Sequence, residues 1–164
     1  MPAEAKHTIS IPSLPKVEAL LEDLNFLEYS TALRNTCYDI EYLFFLEEVL
    51  NNDFLYGGFK AKLEYERLKV CFSVIESLLF CLLISKGFLR ESDNLRFPEL
   101  VNKASVVGFL DLDTTRKIGA LRRMRNQHHA GAQRELHVKF KDAASDFDYK
   151  YIQEFIQTLR TKAS

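Results

Sequence analysis

Apolar residues recur along the chain at spacings of three and four, the period of a helix with one buried face. From about Pro15 to Leu27 the stripe is Val17, Leu20, Leu21 and Leu24, and Pro15 suits a first helical turn. A second stripe spans about Tyr29 to Leu50 through Leu33, Cys37, Ile40, Leu43, Phe44 and Val49. Asn51 and Asn52 end it, and Gly57-Gly58 reads as the turn. The third segment, Lys60 to Lys86, is the longest. Leu63, Leu68, Val70, Phe72, Val74, Ile75 and most of 78–84 leave its C-terminal half apolar nearly all round, the mark of a helix surrounded by others. Gly87 is a left-handed stop. Pro98 opens a short fourth helix through Val107, closed by Gly108. Asp111 or Asp113 caps a fifth, from Thr114 to about His129. Ser145 with Asp148 caps a last helix, with Phe147, Ile152, Phe155, Ile156 and Leu159 facing inward. Residues 134–140 alternate polar and apolar, a short extended pattern with no partner strand in view. The expectation is an all-α bundle of five or six helices. Residues 1–12 are a flexible N-terminal arm and 13–164 a single domain.

Composition narrows this further. At 164 residues, 47% hydrophobic, the chain can bury a core without disulfide or metal. Cys71 and Cys81, ten residues apart in one helix, cannot pair, so Cys37, Cys71 and Cys81 read as buried thiols of a cytosolic protein. Residues 1–13 carry no apolar leader run. The most apolar stretch, Val70 to Ser85, holds Glu76 and falls short of the roughly 20 residues of a membrane span. A soluble, cytoplasmic protein with no membrane partner is expected. Glu76 either faces the surface or, if buried, needs a cation or a hydrogen-bond donor.

Charge is unevenly placed. Residues 1–55 carry 3 basic and 10 acidic side chains. Residues 116–141 carry 8 basic (Arg116, Lys117, Arg122, Arg123, Arg125, Arg134, Lys139, Lys141) against Glu135 alone. The plain reading is a solvated helix face paired with acids of 1–55. The other is an anion site, with nucleic acid the commonest large anion of the cytosol.

On a helix of about 100° per residue, Arg122, Arg125, Asn126 and His129 share one polar arc, and Leu121, Met124 and His128 fall on the core-facing stripe. Two guanidiniums suit a phosphodiester and offset charge developing in its transition state. An imidazole titrates near neutrality and can take or give a proton. Asn126 can orient a ring nitrogen or a substrate hydroxyl. RNA brings its own nucleophile, the 2′-hydroxyl, so neither a protein nucleophile nor a metal is required.

Leu121-Arg122-x-x-Arg125-Asn126-x-x-His129 resembles the Arg-Asn-x-x-His form of the HEPN superfamily motif, an arginine followed after four to six residues by a histidine. Six residues separate Arg122 from His129 and five separate Arg123 from it. The long apolar helix with its internal Glu76 and the Gly108 turn that precede the motif resemble that superfamily too, over roughly residues 60–160. A proline often follows the histidine in this motif form; here Ala130 follows, and Gly131 can end the helix instead.

The resemblance implies a helical bundle in which Arg125, Asn126 and His129 are the polar set and Arg122 or Arg123 the leading arginine. It implies a metal-independent endoribonuclease of toxin or defence type. Its sites form where two copies meet, so a homodimer is expected, with RNA or a nucleotide as ligand and an antitoxin or other protein as a further partner. Arg122, Arg123, Arg125 and Arg134 would hold the nucleic acid, and no cofactor or metal is called for. Members of that superfamily that have lost catalysis imply the alternative, a non-catalytic module binding nucleotide, RNA or a protein.

Other chemistries are less well served. His128, His129 and His137 have the residue type for zinc, but adjacent helical histidines diverge and no carboxylate completes the set. There is no nucleophile elbow and no glycine-rich phosphate loop. The helices beside 114–129 are too long for a helix-turn-helix DNA reader.

Overall fold

The computed structural model describes residues 13–28, 30–51, 57–129 and 146–164, with residues 57 and 127–129 described by their backbone alone. The described residues form six helices and no strand: α1 (Val17–Asp23), α2 (Thr31–Leu50), α3 (Gly57–Ser85), α4 (Phe97–Val106), α5 (Leu112–His129) and α6 (Tyr149–Ala163). The all-α bundle follows the apolar periodicity. The arm 1–12, the alternating segment 134–140 and Ser145 lie outside the described residues.

Helix ends follow local chemistry, and several differ from the sequence expectation. α1 stops at Asp23, because Asn25 and Leu27 donate to the carbonyls three residues back, Glu22 and Leu24, and that tighter turn tucks Leu24 and Leu27 into the core. Pro15 precedes the N-cap Lys16, so it stands before the first turn rather than in it. α2 begins two residues later than its apolar stripe suggests, where the Ser30 hydroxyl accepts the Leu33 N–H at 3.1 Å. Gly57 and Gly58 open α3 instead of forming a turn before it. First-turn N–H groups have no intrahelical partner, so glycine is tolerated there better than in a helix interior. Of the two candidate caps for α5 it is Asp111 that accepts the Thr114 N–H, at 2.7 Å, while Asp113 sits inside the first turn and pairs with Lys117. Asp148 caps α6 through the Tyr151 N–H at 2.8 Å. Gly87 and Gly108 do stop their helices. Their φ values of 73° and 86° let Phe88 and Phe109 return N–H bonds to Leu83 and Ala104.

α3 is the axis of the bundle. It touches α2, α4, α5 and α6, and its Leu68, Val74, Ile75, Leu78, Leu79, Leu82 and Leu83 are fully buried. The Glu28 N–H bonds Ser85, the Ser73 hydroxyl bonds Asp39 and Arg67 pairs with Glu47. Partner numbers fall along α3 as they rise along α2, so the two helices are antiparallel. α6 runs parallel to α3, since Cys71 contacts the Phe147 carbonyl at one end and Lys86 the Ala163 carbonyl at the other. Gly58–Ser85 is long and apolar enough to cross a membrane, and 61% of its most apolar window is buried among the other helices. Cys37, Cys71 and Cys81 are free thiols in this core, and burial pushes Cys37 up to about 11.

Candidate anion-binding site on α5

α5 carries the basic block, and its burial pattern sets its orientation. Ile118 and Leu121 are fully buried and Met124 packs at the margin of the core. Arg122, Arg123 and Asn126 are exposed, as expected of an outward arc. Arg125 departs from that expectation. It follows Ile118 and Leu121 at spacings of three and four, so it continues the buried line instead of sharing the solvent face. Its guanidinium lies 4.7 Å from the centre of the Phe72 ring on α3, and the side chain is half-buried.

Phe72 is itself 5% exposed and packs, tilted by 40°, with its ring centre 4.2 Å from that of Phe97, the first residue of α4. Three helices therefore meet at one ring, with a cation over it. One turn further along α3 stands Glu76, half-buried on the same face. Burial holds its carboxyl above the ordinary value, and the nearby Arg125 charge pulls it part of the way back. Glu76 is thus neither fully buried nor fully exposed, with the Arg125 charge nearby. The two do not form an ion pair within 4 Å.

Among the described residues, the side chains of Arg116, Arg122, Arg123 and Arg125 make no hydrogen bond and no ion pair. Among the described residues the acids of 1–55 that form ion pairs are matched elsewhere, Glu18 with Arg34, Asp23 with Arg160 and Glu47 with Arg67. Arg125 rests on the Phe72 ring, and a guanidinium stacked in this way still has its N–H donors in its own plane free to meet an anion. Arg122 and Asn126 flank it on the exposed side of the same helix.

His129 is the last residue of α5; its side chain, that of His128, and Arg134 lie outside the described residues, as does His137. No three His, Cys, Asp or Glu among the described residues are grouped to hold a metal ion. On another face of α5, Ala120 and Met124 line a recess of about 420 Å³ shared with Phe147, Tyr151 and Glu154 at the start of α6. The residue that sequence reasoning missed is Phe72, which read only as core. Its spacing of four from Glu76 was the available signal.

The fold and this face define an all-α bundle with an arginine-rich helix whose arginines have no ion pair among the described residues. Comparison with models of known families, with curated proteins and with solved structures finds no match.

Proposed function

We propose that the α5 face is the active surface of a HEPN-like, metal-independent endoribonuclease acting in the cytoplasm. The observation that supports it best is Arg125, partly desolvated over Phe72 and with no acceptor for its donors among the described residues. Arg125 and Arg122 take the scissile phosphate, and Asn126 orients the site. His129 takes the 2′-hydroxyl proton. The 2′-oxygen then attacks phosphorus, the bond to the 5′-oxygen breaks as that oxygen receives the proton back from His129 directly or through water, and the products are a 2′,3′-cyclic phosphate and a 5′-hydroxyl end. Arg123 and Arg134 extend the contact along the RNA backbone. A second copy of the chain, as the HEPN resemblance implies, completes the site.

The test is RNA cleavage in EDTA by the wild type and by a His129→Ala variant whose fold is checked by circular dichroism. Cutting by the wild type alone supports the reading, and a 2′-deoxy nucleotide at the scissile position must then abolish it. Equal cutting by both proteins, or cutting that survives the 2′-deoxy substitution, sinks the mechanism. RNA binding without cutting by either protein favours a non-catalytic HEPN-like module, for which the unpaired arginines serve equally well. Its affinity should fall steeply with salt.

A further inference from the structure

α2 carries apolar residues on two sides. Leu33, Cys37, Ile40, Leu43, Leu46 and Leu50 are buried in the core and make up the first. The second is Tyr38, Tyr42, Phe45 and Val49, at steps of four, three and four, on the side of the helical wheel opposite the first. Those steps are the d and a positions of a heptad, the spacing of a seam that receives another helix. Tyr38 is 49% exposed and Tyr42 42% exposed. The Tyr42 and Phe45 rings lie 6.2 Å apart and within 17° of parallel, so they form one ledge. Single exposed aromatics are ordinary on a surface, whereas a run of them in heptad register along one helix face makes a contiguous patch. Asn35, exposed, takes the a position before Tyr38, where a polar side chain fixes the register of a helix pair. One flank of the seam is acidic, with Glu41 and Glu48 at successive g positions. Arg34, at the g position before them, already faces Glu18 of α1 at 3.9 Å. Asp39, on the other flank, accepts the Ser73 hydroxyl of α3 at 3.1 Å.

We propose that the outer face of α2 is a docking seam for an amphipathic helix of a partner protein. That helix sets apolar side chains on Tyr38, Tyr42 and Phe45, and lysines or arginines along the edge that meets Glu41 and Glu48. Charge complementarity selects this occupant over a second copy of the chain. An antiparallel copy of α2 would set Glu41 and Glu48 against their own counterparts, and like charges across a seam repel. A parallel copy would offer Glu41 no cation, because the facing position is Leu46, which is buried in the core. The exposed face of α5 from a second copy brings the cations without the apolar surface, since Arg116, Arg122, Arg123 and Asn126 make it up. The aromatic residues supply most of the affinity, because tyrosine covers a large apolar area while its hydroxyl stays in water at the rim. The glutamates set which helix is admitted. The seam is independent of the phosphate reading of α5.

The probe is a synthetic peptide of about four heptads with leucine at a and d and lysine or arginine at e and g, labelled for fluorescence anisotropy. Its control carries glutamate at e and g. Binding is scored as the part lost in the Tyr38→Ser/Tyr42→Ser double variant, whose fold is checked by circular dichroism. That scoring leaves out an acidic peptide held by the arginines of α5. The wild type should take the basic peptide, and the double variant should weaken it about thirtyfold. Glu41→Lys should weaken the basic peptide about fivefold and strengthen the acidic one. This shift of preference decides the question alone if the serine pair does not fold. No binding of the basic peptide, or binding that the folded serine pair leaves intact, overturns the proposal. So does a preference that Glu41→Lys leaves unchanged, or equal tyrosine-dependent binding of both peptides. A wild type that sediments as a larger species than the double variant, with no peptide present, assigns the seam to a second copy and overturns the partner helix.

Discussion

The Arg125 guanidinium rests 4.7 Å above the Phe72 ring, so the central arginine of the α5 motif is anchored to the core helix of the bundle. The contact links packing to function, because the ring that positions the cation is also buried against Phe97. Replacing Phe72 by Leu removes a cation–π contact and a ring pair together worth about 2 kcal/mol. Urea denaturation should register that loss. Arg125→Lys keeps the charge but not the planar fork, and should weaken RNA binding several-fold more than Arg116→Lys on the exposed face of the same helix. Equal losses, measured by fluorescence anisotropy, would mean that only net charge counts.

The Arg67–Glu47 pair joins α3 to α2 at 3.2 Å, with both side chains more than four-fifths buried. Glu47 also accepts the Tyr149 backbone N–H at the start of α6, so one carboxylate ties three helices. Glu47→Ala removes the carboxylate that faces a buried guanidinium and should cost about 3 kcal/mol. The double replacement Glu47→Leu with Arg67→Met should recover most of it, since well-packed apolar residues often match a buried ion pair. A loss under about 1 kcal/mol in the single variant, read from the urea midpoint, would show that the pair is dispensable.

Asp39, Glu47 and Glu76 all have carboxyls raised above their ordinary values, with burial the largest cause in each. In Glu47 burial outweighs even Arg67. The folded protein thus holds these protons more tightly than the unfolded chain. The stability they contribute is complete below the unfolded carboxylate range of about 4 and is lost as pH rises through the raised folded values. Asp39→Asn and Glu76→Gln imitate the protonated forms. Their melting temperatures relative to wild type should therefore climb between about pH 4 and pH 7. A difference that stays flat or falls over that interval contradicts the assignment.

Tyr151 buries its hydroxyl with no hydrogen-bond partner among the described residues, and burial pushes the phenol up to about 12. Its ring meets Phe147 edge-on at 5.0 Å and lies parallel to Phe155. Tyr151→Phe keeps those contacts and removes the orphaned group, so it should be neutral or stabilising by about 1 kcal/mol. A lower melting temperature would reveal a partner for the hydroxyl in the native protein.

The all-α class, the order of the helices, the central place of α3 and the glycine stops at 87 and 108 were legible in the sequence. Each follows from local chemistry: apolar spacing, the lack of side-chain strain at glycine, and the clustering of arginines on 116–125. What the chain order could not show was the direction in which α5 buries itself. Taking Leu121, Met124 and His128 as the core-facing stripe groups Arg125 with Arg122 and Asn126, whereas the packed helix buries Ile118 as well and so sets Arg125 on the buried line. Burial of Ile118 and Leu121 against α3 turns Arg125 toward Phe72, leaves its neighbours in solvent and brings it within the influence of Glu76, 49 residues earlier in the chain. Sequence determined which residues carry charge and which form helices. Tertiary packing decided which arginine is held, on what ring and beside which carboxylate, because those are contacts between elements far apart in the chain.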